Sequence, residues 1–387
     1  MSALSHPIRI VHWGMPTGLG GLETFLMNVY RNIDRDLVQF DFLEPHNEIP
    51  LHFEDEITSL GGNIYRIMYS QRESLIKSRS CLRVFFQEHP EIAGVHVNTN
   101  FPYAFPLKYA KKAGIKLRIL HAHNCIPDSY YAGESIPQYL MRQARTCIEN
   151  RQVNAYPTNY FACSSLAANY MFPDQQYTLI RNGIDTEAFA FNQQTRDRLR
   201  AEFGIAKTTT VIGFCGNFRS QKNPVFTLDV FHAYHKRNPD SILLMVGDGE
   251  LRNEVERHIG ELGMNDCVRL TGIRTDMTDL YQAMDAFLLP SLFEGLGIVY
   301  IEAQCAGLPT IAASDMVPQE IEVTDNLHFI SLKQPAAQWA QAMDEAIDSA
   351  HSRIGYAKQV RNAGYDIRDV ASYLQEFYLK NASPAQT

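Results

Sequence analysis

Two carboxylates, Glu294 and Glu302, stand within the stretch Pro290-Ser-Leu-Phe-Glu-Gly-Leu-Gly-Ile-Val-Tyr-Ile-Glu302. Glu294 lies in a glycine-rich turn and Glu302 on the apolar segment that follows. Carboxylates accept hydrogen bonds, so a pair flanking such a turn suits a ligand rich in hydroxyls, as a sugar is. The backbone N–H groups of Gly295, Leu296 and Gly297 fall where a helix starts, a place that favours phosphate or sugar oxygen. A second loop, Asn217-Phe-Arg-Ser-Gln-Lys-Asn-Pro224, puts Arg219 and Lys222 before another helix N-terminus, where a pyrophosphate would be bound. Gly247 and Gly249 of Gly247-Asp-Gly-Glu250 let backbone approach a ligand closely. His121 and His123 of His121-Ala-His-Asn124 could ligate a metal, but no third ligand of recognisable spacing joins them, and substrate contact is the better reading.

Each of these groups needs a strand, a loop and a helix to place it. Apolar runs at 8–12, 38–43, 63–68, 92–97, 117–121, 160–164 and 177–180 alternate with helical segments. A second series runs through 211–216, 242–246, 268–271, 286–289, 310–313 and 327–332, and a helical tail covers 335–380. This alternation predicts parallel sheets with crossover helices, in which functional groups gather beyond the carboxyl ends of strands. The first strand enters Gly14-Met-Pro-Thr-Gly-Leu-Gly-Gly21, which is neither a Walker loop nor a well-spaced dinucleotide fingerprint. Glu23 follows it in the first helical turn, where an N-terminal charge is the usual structural explanation.

At 387 residues the chain is long enough for about two domains. Its net charge of −8 is uneven: residues 1–185 carry 17 basic and 17 acidic side chains, the remainder 18 and 26. An acidic chain of this kind is a poor nucleic-acid binder. Two basic clusters, Arg66/Arg72/Lys77/Arg79/Arg83 and Lys108/Lys111/Lys112/Lys116/Arg118, could touch an anionic membrane surface. The apolar tracts Phe85-Phe86 and Phe101-Pro-Tyr-Ala-Phe105 point the same way. Seven scattered cysteines without a Cys-x-x-Cys pattern, and a start unlike a signal peptide, suggest a cytoplasmic protein, at most associated with the inner face of a membrane.

In order and spacing these motifs resemble the retaining glycosyltransferases of GT-B architecture, family 4, which include bacterial capsule, exopolysaccharide and O-antigen transferases. The Glu-x7-Glu pattern of Glu294 and Glu302 is the most specific element. Gly20-Gly21-Leu-Glu23, His121-Ala-His-Asn124, Asn182-Gly-Ile-Asp185, Gln221-Lys-Asn223 and Gly247-Asp-Gly-Glu250 accompany it. The resemblance implies two doubly wound Rossmann-like α/β domains with an inter-domain cleft: 1–188 for the acceptor, 189–364 for the nucleotide sugar, and 365–387 as a helix crossing back. It implies a metal-independent, retaining hexosyltransferase with no cofactor, whose co-substrate is a nucleotide-diphosphate sugar, UDP being the commonest base. Its acceptor would be a saccharide or lipid-linked oligosaccharide of cell-surface polysaccharide synthesis. Glu302 would hold the ribose, Glu294 and the N–H groups of Gly295–Gly297 the sugar, and Lys222 and Arg219 the diphosphate. Gly20 and Gly21 would approach that diphosphate, and His121 or His123 would face the reacting sugar. The family has Arg where this chain has Asn217, so Arg219, two residues on, must replace it or the donor grip is weaker. Two other readings of the same architecture are a nucleotide-sugar epimerase and a catalytically impaired binding subunit.

Overall fold

A computed structural model describes residues 6–15, 17–18, 20–45, 50–69, 73–350 and 352–382. The chain forms two compact units, residues 1–183 with 367–387, and residues 184–366.

In the first unit seven strands build one parallel sheet: β1 (Ile8–Trp13), β2 (Val38–Pro45), β3 (Ile64–Ile67), β4 (Ile92–Thr99), β5 (Leu117–Ala122), β6 (Asn159–Ala162) and β7 (Thr178–Leu179). Their spatial order is β3-β2-β1-β4-β5-β6-β7. Strands covered on both faces must be apolar throughout, and Ile10, Val11, Phe40, Phe42, Val95, Val97, Ile119 and Leu120 are all buried. The helix Gly21–Asn32 buries Phe25, Leu26, Val29 and Tyr30 at helical spacing. Against the same core the closing helix Ile367–Asn381 buries Ile367, Val370, Leu374 and Tyr378. Gly183 admits this helix: a Cβ there would lie 2.9 Å from the Ile367 Cα.

Six strands build the sheet of the second unit: β8 (Thr210–Cys215), β9 (Ser241–Val246), β10 (Val268–Gly272), β11 (Ala286–Leu289), β12 (Thr310–Ala313) and β13 (Leu327–Ile330). The order is β10-β9-β8-β11-β12-β13, again parallel throughout. In each sheet the direction of winding reverses once, at β1/β4 and at β8/β11. Loops leaving the two strands of such a pair diverge and leave a crevice.

Three local expectations need correction. The tail at 335–380 is not continuous: helices Ala336–Ser349 and Tyr356–Val360 are separate, and Gly364 at φ 86° breaks the chain before Ile367. A twenty-residue helix, Ile136–Ala155, was not anticipated; it buries only Val153, so no apolar stripe announced it. Phe85, Phe86 and Phe105 are core residues and offer nothing to a membrane, whereas Phe101 is exposed. In the basic clusters Arg66 pairs with Glu54, and Arg118 donates to the carbonyls of Tyr156, Ile115 and Lys116. Arg72 lies outside the described residues. No helix among those described is long and apolar enough to cross a membrane.

Candidate active site

At the β8/β11 switch point of the second unit, two loops are stitched together by their own polar groups. Leu292 N–H donates to Gln221 O (2.8 Å), Gln221 Nε2 to Phe293 O (3.0 Å) and Asn223 Nδ2 to Pro290 O (3.2 Å). Asn223 adopts the left-handed conformation (φ 53°, ψ 49°) just before Pro224, whose fixed φ suits the first position of helix Pro224–His235. The result is an ion pair at the carboxyl edge of the sheet: Lys222 Nζ donates to Glu294 Oε1 at 2.5 Å. Ser291 Oγ donates to the same oxygen at 2.7 Å. Glu294 is only 4 % exposed, so the pair is largely desolvated, and losing either partner would strand the other charge.

Glu302 is also buried, on helix Ile298–Cys305, and its Oε2 accepts from Tyr281 Oη at 2.9 Å. Burial pushes its carboxyl up to about 7, with the Tyr281 hydroxyl opposing that rise. Gly297 opens the same helix at φ 82°, and a Cβ there would come within 2.6 Å of the Tyr300 ring. Tyr300 is itself anchored through its hydroxyl to Leu289 O (2.7 Å). Only glycine meets both conditions, and the turn Gly295-Leu-Gly297 is thereby held tight beside Glu294.

Gly247 and Gly249 lie where neighbouring loops pack closely. Gly247 has φ 137°, and a Cβ would lie 2.1 Å from Gly216 O; at Gly249 it would lie 2.7 Å from Phe218 O. The close approach visible here is between neighbouring loops, reinforced by Phe218 N–H to Asp248 O (2.9 Å). Asn217 is half-buried next to them. Arg219 is exposed, one residue before the short turn Ser220–Lys222, and has no side-chain partner among the described residues.

In the first unit, Gly20 precedes helix Gly21–Asn32 in extended backbone, and a Cβ there would sit 3.0 Å from Glu23 Oε2. His121 and His123 belong to a buried network that the sequence reading missed. Strand register sets His12 beside His96 and Asn98 beside His121. His96 links Tyr378 Oη through Nδ1 (2.7 Å) to His121 Nδ1 through Nε2 (3.1 Å). His123 Nε2 lies 3.1 Å from Asn98 Oδ1, whose amide nitrogen is 3.3 Å from His12 Nδ1. Burial drives His12 and His123 down to about 3, and holds His96 and His121 well below the ordinary range, with neighbouring histidines adding to the effect. All four are neutral. His121 is wholly enclosed, whereas His123, at 9 % exposure, keeps an edge open. Among the described residues no group of three or more His, Cys, Asp or Glu forms a candidate metal centre.

Two parallel sheets, each with a polar loop cluster at its switch point, define a pair of doubly wound α/β units. Comparison with known proteins gives the family. Residues 19–188 match Glycosyltransferase Family 4, and residues 195–365 match the glycosyl transferases group 1. EpsF of Bacillus subtilis (strain 168), assigned as a glycosyltransferase, is 30 % identical over 377 residues, covering 96 % of both chains. An Escherichia coli UDP-Gal:α-D-GlcNAc-diphosphoundecaprenol α-1,3-galactosyltransferase is 33 % identical over 140 residues, 35 % of this chain and 36 % of that protein. Among solved structures, Anabaena HepE in complex with UDP and glucose superposes with TM-score 0.77 at 17 % identity, covering 96 % of this chain and all of HepE. WaaG, a glycosyltransferase involved in lipopolysaccharide biosynthesis, superposes with TM-score 0.73 at 15 % identity, covering 95 % of this chain and 99 % of WaaG. These two establish the GT-B fold. The chain belongs to the group 1, family 4 glycosyltransferases, and is a glycosyltransferase of polysaccharide or glycan biosynthesis.

Proposed function

We propose that the chain transfers a hexosyl group from a UDP-sugar, with retention of anomeric configuration, to a saccharide or lipid-linked saccharide of a cell-surface polysaccharide such as a capsule or exopolysaccharide. The carrying observation is the buried Lys222–Glu294 pair on two loops locked together at a switch point. A departing nucleoside diphosphate develops negative charge, and a fixed ammonium beside helix N-termini stabilises it without reorganisation. Lys222 would supply that ammonium, with Arg219 free to add a second cation, so no divalent ion or other cofactor is invoked. Glu294 would hold sugar hydroxyls. Glu302 would accept from the ribose, and the N–H groups of Gly295, Leu296 and Gly297 would orient the sugar. In the first unit His123, rather than the enclosed His121, is the histidine able to meet a sugar. Supporting the choice of donor and acceptor is the Escherichia coli relative, which uses UDP-Gal and a diphosphoundecaprenol-linked sugar. Action at the cytoplasmic face of a membrane follows from that acceptor class.

Lys222→Ala and Glu294→Gln test this directly. A donor that binds only the folded chain raises its melting temperature. The UDP-sugar that stabilises the native chain should therefore fail to stabilise either variant, and transfer should fall at least ~100-fold. Full turnover in both variants would overturn the assignment.

A further inference from the structure

Glu302 lies in the second unit with little around it to answer its charge. It is 6 % exposed, and no cation pairs with it among the described residues. Two thiols stand near, Cys215 at the end of β8 and Cys305 on its own helix; burial pushes both up to about 12, so both stay neutral. The hydrogen bond to its carboxyl comes from Tyr281, whose Oη lies 2.9 Å from Oε2. No described residue donates to Oε1. The carboxyl is therefore held by one oxygen and unclaimed at the other.

Tyr281 is firmly placed for that hold. It sits on the short helix Met277–Ala283, and its ring is wholly buried, edge-on to Phe287 (5.7 Å) and tilted against Phe189 (5.9 Å). Close packing on both sides leaves the phenol one direction to point. Arg353 then fastens this helix to the helix of Glu302. Its guanidinium donates to Tyr281 O (2.9 Å), Gln282 O (3.2 Å) and Met284 O (2.9 Å) at one helix end, and to Ala306 O (2.8 Å) just past the other. Charge-assisted bonds of this kind fix the separation of the two helices. A buried phenol needs only one acceptor, and Val299 O stands 3.4 Å away. The hydroxyl lies closer to the carboxyl than to that carbonyl, so it is committed to the acid.

We propose that Tyr281 is a positioning residue of the donor site: its hydroxyl clamps Oε2 of Glu302 and so aims Oε1 at a ribose hydroxyl of the incoming nucleotide. This rests on the transferase reading above and adds the group through which Glu302 is held in place. The same bond favours the charged carboxylate, the better acceptor of a hydroxyl. Burial lifts the Glu302 acid to about 7 against the opposing Tyr281 hydroxyl, so without the hydroxyl the acid moves higher still.

Tyr281→Phe is the test, since it removes one oxygen and keeps the ring that packs on Phe189 and Phe287. In the ligand-free chain labelled with 13C at its glutamate carboxyls, the Glu302 signal is the one missing from Glu302→Gln. Its titration midpoint should rise by ~1 pH unit or more in Tyr281→Phe. Calorimetric titration with UDP-glucose, UDP-galactose and UDP-N-acetylglucosamine between about pH 6 and 9 reads the consequence. For the UDP-sugar that the native chain binds best, affinity at pH 7 should fall ~5-fold or more in Tyr281→Phe, and the deficit should shrink towards pH 9 as the variant's carboxyl ionises. Tyr281→Phe combined with Glu302→Gln should bind no more weakly than Glu302→Gln alone, because the phenol acts through that carboxyl. An unmoved midpoint, a deficit equal at every pH, or additive losses in the double variant would each overturn the proposal. Glu302→Gln binding as tightly as the native chain would overturn the ribose contact and this proposal with it. Should none of the three sugars bind the native chain, the UDP reading fails and the midpoint alone decides the role of Tyr281.

Discussion

Acidification should destabilise the first unit through its histidine network, and the size of the effect can be worked from the buried groups. His12, His96, His121 and His123 are neutral in the fold, with His12 and His123 held at about 3. In the unfolded chain each titrates near ~6.5, so the unfolded state binds more protons below that pH and stability falls as pH falls. Between about pH 7.5 and 5.5 each histidine removes ~1.4 kcal/mol, or ~5.5 kcal/mol for the four. Glu44 acts in the opposite sense. Burial lifts its carboxyl to about 8, with backbone N–H groups of Met15 and Gly14 opposing, so the fold holds a proton that the unfolded chain has largely lost. Over the same interval it restores ~2.5 kcal/mol, leaving a net loss of ~3 kcal/mol, a large share of an ordinary domain's stability. Hydrogen exchange of the β4 and β5 amides, corrected for intrinsic rates and read as opening free energy at both pH values, measures this. His12→Phe should reduce the loss by about one histidine's share. The ring fits among Phe40 and Phe42, whose centroids lie 4.2 and 5.8 Å from the imidazole. A net change below ~1 kcal/mol, or greater stability at the acid end, would refute the neutral network.

Two further outcomes concern the second unit. Glu302, held at about 7, accepts hydroxyl hydrogen bonds best when ionised, so nucleotide-sugar affinity should weaken ~10-fold from about pH 8 to pH 6 and Glu302→Gln should flatten that dependence. Calorimetric titration with a nucleotide sugar, whose diphosphate diester does not titrate there, reads it; an unchanged Kd would argue against ribose contact. Gly297→Ala should lower the second unit's unfolding free energy by ~1–3 kcal/mol in urea melts, since it forces a side chain into positive φ and against the Tyr300 ring. A variant as stable as the parent would show that the turn can relax.

Much of the architecture was legible in the residues because parallel strands are buried on both faces and appear as short apolar runs separated by helical periods. The clearest are Val211–Cys215, Ile242–Val246 and Ala286–Leu289. The loop chemistry was legible for the same reason: polar groups confined to strand ends stand out against apolar neighbours. Helix Ile136–Ala155 was not legible, because it rests on the fold with one buried residue and shows no amphipathic stripe.

By itself, then, the sequence determined that Glu294 and Lys222 lie in loops after strands, Glu302 on the helix that follows and two histidines about the end of a strand, and which family pattern they match. Tertiary structure decided which of them meet. The 2.5 Å pairing of Lys222 with Glu294 depends on side chains 72 positions apart being drawn together by loop-to-loop bonds that leave no local mark. His121 looked like a substrate contact and proved to be enclosed, because the sheet brings His96 against it and a distant helix brings Tyr378 against His96. Burial of that kind is a sum over segments remote in the chain, and spacing along the chain cannot express it.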